Sequence, residues 1–228
     1  MPAPDRLVVI AIDGPAASGK SSTARRVAAE LGFRQGDSGA IYRAVTAARL
    51  RAGASPDTWT EASVLDAAAS VSVVPLEGLF GVRIAGQEVE AELRGPAVTG
   101  AVSTVARMPA VRAWVNARMR ECAAHGPIVV DGRDMGTAVF PDAPLKVWLV
   151  ADPAVRAHRR SLELLGRLPS DEELARATSD LAARDAKDAT QTKPAADAVH
   201  VDTTRLTPDE QVSRIVALAR EQIGRAHV

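Results

Sequence analysis

Apolar residues run without a break over Leu7-Val8-Val9-Ile10-Ala11-Ile12 and Ile128–Val130, and with one interruption each over Leu145–Val150 (Lys146) and Ala198–Val201 (His200). Short runs of this kind, bounded by polar turns, read as strands buried on both faces of a parallel sheet. Apolar positions at helical spacing predict helices over 20–31, 38–52, 60–69, 96–106, 109–124, 153–165, 170–186 and 207–224. Ser170-Asp171-Glu172-Glu173 has the form of a capping box, and Thr207-Pro208-Asp209-Glu210 sets a cap, a first-turn proline and two acids at a helix start. Phe33-Arg34 marks the place of a candidate fifth sheet strand, although the run is too short to assign from its pattern. Residues 71–90 break the rhythm, because Val71–Val74, Gly81–Ile84 and Glu88–Glu90 alternate like short antiparallel strands around turns at Glu77-Gly78 and Ala85-Gly86-Gln87. The pattern predicts an α/β fold, a parallel sheet flanked by helices, with a small antiparallel sheet in an inserted subdomain. The last residues, Arg225 to Val228, are expected to fray.

Between the first strand and the first helix lies Gly14-Pro15-Ala16-Ala17-Ser18-Gly19-Lys20-Ser21, a full G-x-x-x-x-G-K-[ST] run. Strand, glycine-rich loop and helix are the order that phosphate binding requires. Gly14 and Gly19 free the backbone to turn its N–H groups around a phosphate, and the new helix points its positive end at the same place. Lys20 is then placed for the β- and γ-phosphates and the Ser21 hydroxyl for Mg²⁺. The chain has 24 Arg but only 4 Lys, and Lys20 is the only lysine before Lys146. A slim ammonium fits between phosphates where a broad planar guanidinium does not.

Length allows a substantial core, as one large α/β domain or as a core with insertions. The 28 basic and 28 acidic residues balance, so no global field draws the chain to nucleic acid or to an anionic membrane. One cysteine, Cys122, excludes an internal disulfide and suits a reducing compartment; it reads as a packed helix residue. No apolar run reaches the length of a membrane span. A soluble cytoplasmic protein is expected.

Downstream, Asp37 and Ser38 are good caps for a helix bearing Ile41, Val45 and Ala48. Either they only cap it, or Ser38 and the helix start face a second ligand with Arg43 available for an anion. Ile128-Val129-Val130-Asp131 resembles a Walker B strand, which puts Asp131 at the carboxyl edge of the sheet near Mg²⁺ or a bound water. Arg133 and Asp134 follow in the crevice where open α/β sheets bind ligands. The pair could be a simple salt bridge, but Gly132 and Gly136 flanking it favour close approach to a ligand. Arg156, Arg159, Arg160, Arg167, Arg176 and Arg184 form a cation-rich helical stretch. As a closing flap it would stabilise a transferring phosphoryl group and exclude water, although some, Arg176 first, fit a solvated helix face.

Taken together, the stretches 12–22 (IDGPAASGKSS), 37–44 (DSGAIYRA), 131–146 (DGRDMGTAVFPDAPLK) and 183–204 (ARDAKD…PAADAVHVDTT) resemble bacterial cytidylate kinases, members of the P-loop nucleoside monophosphate kinases. The resemblance implies a P-loop core over 1–37, 127–155 and 187–228. It implies a CMP-binding subdomain over 38–126, including the insert at 71–90, and a lid with its adjoining helix over 156–186. It further implies ATP on Gly14 to Ser22, with Ser22 closing that set. Ser38, Ser103, Arg112 and Asp134 would surround the pyrimidine, Arg43 and Arg133 would hold the acceptor phosphate, and Arg184 and Asp188 would touch the sugar hydroxyls of CMP or dCMP. Lys20, Arg133 and the lid arginines Arg156 and Arg160, with Arg167 in reserve, are the expected catalytic cations, and Ser21 and Asp131 the Mg²⁺ site. The family pattern R-D-x-x-D-x-x-R ends here in Gln191, which removes one cation from the expected acceptor clamp.

The chemistry of those residues suits cytosine. Asp134 can accept from the exocyclic N4 amine, while Arg112 and Ser103 can donate to N3 or O2. A carboxylate facing uracil O4 would be repelled. The expected activity is Mg²⁺-dependent transfer of the ATP γ-phosphoryl group to CMP or dCMP by a monomer. A UMP or AMP kinase is the alternative enzyme. A GTP-dependent switch would need an N-K-x-D motif, and Thr192-Lys193-Pro194-Ala195 lacks the aspartate.

Overall fold

Strand β1 (Val9–Asp13) is buried along its whole length, and its side chains divide by twos. Val9 and Ala11 enter one hydrophobic cluster, Ile10 and Ile12 another, as a pleated strand covered on both faces must. The computed structural model describes residues 8–225. Leu7, where the first expected strand starts, and 226–228 of the expected frayed end lie outside the described residues. Strand β2 (Arg34–Asp37) follows helix α1 (Lys20–Leu31); its sequence Arg-Gln-Gly-Asp is too polar to announce a strand. Strands β6 (Ile128–Gly132), β7 (Leu145–Val150) and β8 (Val199–Asp202) lie close to their expected positions.

Helices cover both faces. α1 and α9 (Pro208–Arg225) pack Val27, Ala28, Val212 and Ile215 against Ile10, Ile12 and Val147. On the other face α2 (Ser38–Arg51), α3 (Glu61–Ala68), α5 (Pro96–Ala106) and α6 (Pro109–Ala123) contribute Ile41, Val64, Val102 and Met119. Cys122 is a buried free thiol within that cluster. α7 (Pro153–Leu165) and α8 (Asp171–Asp188) pack on each other, and Ala157 and Leu181 reach Ala16 of the glycine-rich loop. Both capping boxes are present: Glu173 N–H donates to Ser170 Oγ at 3.3 Å, and Glu210 N–H to Thr207 Oγ1 at 3.3 Å. The one-turn helix α4 (Glu90–Leu93) and the 3-10 turn Pro56–Thr58 are too short to show a period.

The antiparallel strands expected at 71–90 form β3 (Val71–Leu76), β4 (Leu79–Ile84) and β5 (Gln87–Glu88). They do not stand apart as a second sheet. β4 pairs in parallel with β2 through Gln35 and Leu79, so among the described residues one eight-stranded sheet runs β3-β4-β2-β6-β1-β7-β8, with β5 on β4. The main-sheet register aligns Asp37 and Ile12 with Asp131, and Asp13 with Gly132. The carboxyl ends of β1, β2 and β6 therefore deliver three aspartates to one crevice, where open α/β sheets bind ligands.

Two glycines let the chain turn at that edge. A Cβ on Gly14 would sit 2.3 Å from the Leu149 carbonyl oxygen, so only glycine passes β7 at this distance. Gly19 starts α1 from the left-handed region at φ +85°, which a side chain would strain. Across the crevice, Asp13 accepts the N–H groups of Met135 (2.9 Å) and Gly136 (2.8 Å) and so anchors the single π-helical turn Met135–Val139.

Burial pushes the Asp13 carboxyl up from 3.8 to about 6, against the pull of those two N–H groups, with Asp134 adding to the rise. The unfolded chain releases this proton near 3.8, so above that pH the folded state binds more protons and loses stability as pH rises through 6. Chemical denaturation of wild type and Asp13→Asn should show the wild type losing roughly 3 kcal/mol relative to the variant between about pH 4 and 7. Parallel pH profiles would refute the buried, proton-holding carboxyl.

Candidate active site

The glycine-rich loop closes on itself through Lys20, whose ammonium donates to the Pro15 carbonyl (2.6 Å) and Ser18 Oγ (3.4 Å). Lost solvation holds the Lys20 pKa well below its ordinary value, and Arg133 pushes it further down. Ser22 Oγ bonds back to the Gly19 carbonyl at 2.9 Å, a helix-start contact. Behind the loop, Arg156 is buried, donating to the carbonyls of Ala16 (2.9 Å) and Ala151 (3.3 Å) and to Asp185 (2.6 Å). The second Asp185 oxygen accepts the Ala16 N–H at 3.1 Å. Arg156, expected as a free lid cation, thus braces the loop, and Asp185 fastens α8 to it.

At the next strand end Asp131 is 2 % exposed. Its carboxylate accepts from Ser21 Oγ at 2.5 Å and Gln35 Nε2 at 2.9 Å, and Gln35 Nε2 also donates to the Ser21 carbonyl at 3.2 Å. Burial raises the Asp131 pKa to about 7, and the neighbouring Asp37 adds to the rise. A buried anion and a hydroxyl, with a second carboxylate nearby, make a pocket that favours a hard cation. Among the described residues no group of three or more His, Cys, Asp or Glu could hold a metal. One carboxylate and one hydroxyl are a donor set that fits Mg²⁺, which takes one or two protein ligands and completes its shell with phosphate and water.

Ser38 does not face the crevice with a free hydroxyl. Asp37 alone caps α2, through the Ala40 N–H at 3.0 Å, while Ser38 is buried and donates to the Asp131 carbonyl at 2.9 Å. Arg133 donates to the Gly14 carbonyl at 2.7 Å and pairs with Asp188 at 3.4 Å. Arg184 lies 3.9 Å from the same carboxylate, and among the described residues its buried Nε has no hydrogen-bond partner. Arg43 reaches the Leu93 carbonyl (3.0 Å) and Thr99 Oγ1 (3.1 Å). Arg160 pairs with Glu163 at 2.8 Å, and Glu163 also meets Arg94 at 3.4 Å.

These cations crowd one another. Burial brings Arg43 down to about 10, with Arg184 and Arg160 contributing. Burial likewise lowers Arg184, followed by Arg133. Such mutual depression marks a site short of negative charge. Arg167 and Arg176 are different: they are exposed and pair with Glu173 and Glu172, the solvated face foreseen for Arg176.

A cavity of about 420 Å³ continues the crevice, lined by Arg112, Asp134, Thr137, Gln191 and Lys193 among others. Arg112 and Asp134 are joined by an ion pair, and burial raises the Asp134 pKa despite that partner. Ser103 is half-buried on α5, and no hydrogen bond joins its hydroxyl to another described residue. The Tyr42 hydroxyl is buried without a hydrogen-bond partner among the described residues, within the field of Arg112 and Asp134. Sequence reasoning missed Asp13, Gln35 and Asp185 as site residues. Asp13 and Asp185 were visible as acids ending a strand and inside the R-D-x-x-D run, whereas Gln35 carried no signal.

Residues 10–221 match the cytidylate kinase family model. The chain is 45 % identical to the cytidylate kinase of Thermus thermophilus over 93 % of its own length and 98 % of the relative's. It is 42 % identical to that of Geobacillus kaustophilus, over 96 % and 99 % of the two chains, and 40 % identical to that of Nocardia farcinica, over 96 % and 97 %. A match of this extent covers the glycine-rich loop, the aspartate-bearing strand ends, the arginine crowd and the Arg112–Asp134 cavity, and by it the chain belongs to the cytidylate kinase family.

Proposed function

We propose that the protein transfers the γ-phosphoryl group of ATP to CMP or dCMP with Mg²⁺, giving ADP and CDP or dCDP. The observation that carries the reading is the set of mutually repelling cations, Lys20, Arg43, Arg133, Arg160 and Arg184, between the glycine-rich loop and the Arg112–Asp134 cavity. Burial and mutual repulsion, offset only in part by Asp188 and Glu163, leave these cations a binding place for the phosphate groups of two nucleotides.

ATP lies with its phosphates on the N–H groups of residues 14–22. An oxygen of the acceptor phosphate attacks the γ-phosphorus as the bond to the β–γ bridging oxygen breaks, and ADP leaves with that electron pair. The acceptor oxygen is already ionised at neutral pH, so no general base is needed. Lys20 and Arg160 stabilise charge on the transferring group, and Arg43 and Arg133 hold the acceptor phosphate in line. Arg156 keeps the loop in shape from behind. Ser21 and Asp131 would hold Mg²⁺, which supplies positive charge to the phosphates when bound. Arg184 and Asp188 meet the sugar, and Asp134 accepts from cytosine N4 beside Arg112 and Ser103. Residues 38–126 serve as the acceptor-binding part, and residues 156–186 as the lid and adjoining helix that keep water from the γ-phosphate. Among the described residues no helix is long and apolar enough to cross a membrane.

A coupled assay of ADP formation tests the activity. Turnover with CMP should exceed that with UMP or AMP, and equal rates with all three would remove the base assignment. Lys20→Met should lower kcat about 100-fold or more, the usual cost of a preorganised charge at a transition state; an unchanged kcat would exclude it from the chemistry. Asp134→Ala should raise the CMP KM at least about tenfold while leaving ATP binding by calorimetry within about twofold. Equal damage to both would mean that Asp134 supports the fold instead of reading the base.

A further inference from the structure

The resemblance leads one to expect an arginine where this chain has Gln191, and the contacts of Gln191 give the exchange a meaning. Gln191 follows the last turn of α8, its N–H donating to the Asp188 carbonyl at 3.0 Å. Its side chain lines the Arg112–Asp134 cavity. There Arg112 Nη1 donates to Gln191 Oε1 at 3.3 Å and to the Ala106 carbonyl at 3.1 Å, while Nη2 pairs with Asp134. A guanidinium only donates, so the amide oxygen must be the atom facing Arg112. An arginine at this position has no acceptor to offer and would set a second cation against the first.

We propose that Gln191 is a positioning residue of the acceptor-base pocket: its amide oxygen holds Arg112 in the geometry that clamps Asp134. The inference rests on the reading of this cavity as the cytosine site. Without the contact Arg112 keeps Asp134 and the Ala106 carbonyl but loses its hydrogen bond to the segment after α8. The base-reading pair is then less well ordered before CMP arrives, and the ordering cost falls on acceptor binding, not on phosphoryl transfer. Gln191 thereby couples the α8 segment, which carries Arg184 and Asp188, to the residues that face the base.

The test is steady-state kinetics of the full-length protein with CMP and ATP varied separately, for Gln191→Ala, Gln191→Glu and Gln191→Arg, with thermal melting as a check on folding. Gln191→Ala should raise the CMP KM about five- to tenfold with kcat and the ATP KM within about twofold, the weight of one ordinary hydrogen bond, as suits a contact of 3.3 Å. Gln191→Glu, which keeps an oxygen acceptor, should stay near wild type, and Gln191→Arg should resemble or exceed the alanine variant. An unchanged CMP KM in Gln191→Ala, a drop in kcat without a KM change, or a lower CMP KM in Gln191→Arg would overturn the positioning role while leaving the kinase activity intact. Wild-type protein that turns over no CMP would instead overturn the activity and this role together.

Discussion

The buried carboxylate of Asp131 is the constraint around which the crevice is built. It closes β6, and Ser21 and Gln35 bring α1 and β2 to it by hydrogen bonds of 2.5 and 2.9 Å. Removing a carboxylate from water is costly unless donors or cations replace the water. Two neutral donors offset only part of that cost, and Asp37 beside it adds repulsion, so its pKa stands near 7. The carbonyl of the same residue holds Ser38 and with it the start of α2. One residue thus ties together three strand or helix ends that bear the proposed chemistry.

A second imbalance lies opposite the first. Arg43 and Arg184 are buried within the fields of Arg133 and Arg160, with Asp188 and Glu163 as the carboxylates paired among them, and among the described residues the buried Nε of Arg184 has no hydrogen-bond partner. Arg156, by contrast, is neutralised by Asp185 and spent on the back of the glycine-rich loop. Arg133 also touches the loop, through the Gly14 carbonyl at 2.7 Å. Arg156 and Arg160 lie one helical turn apart on one face of α7, so their partners, Asp185 and the Ala16 carbonyl for one and Glu163 for the other, set them apart.

Much of this was legible in the chain. Largely apolar runs predicted β1, β6, β7 and β8: β1 and β6 are covered on both faces, while Lys146 interrupts the run of β7 and His200 and Asp202 leave β8 partly exposed. The helices appeared within one or two residues of their expected limits. β2 escaped because it carries Arg, Gln, Gly and Asp, and its place between β6 and β4 comes from backbone pairing that no side chain announces. The hairpin at 71–90 was readable as antiparallel, but its attachment to the main sheet depends on one residue pair 44 positions apart in sequence, Gln35 and Leu79.

The sequence by itself determined the α/β alternation, the glycine-rich turn, the acid at the end of β6 and the identity of the cations, because each depends on local periodicity or on a residue type the local chemistry demands. Only the tertiary structure decided what those groups do. Burial and long-range partners convert Gln35 into a prop for Asp131, Asp185 into a brace for Ala16 and Arg156, and Gln191 into a hold on Arg112. These pairings join positions 29 to 169 residues apart, and no local pattern in the chain encodes contacts at that separation.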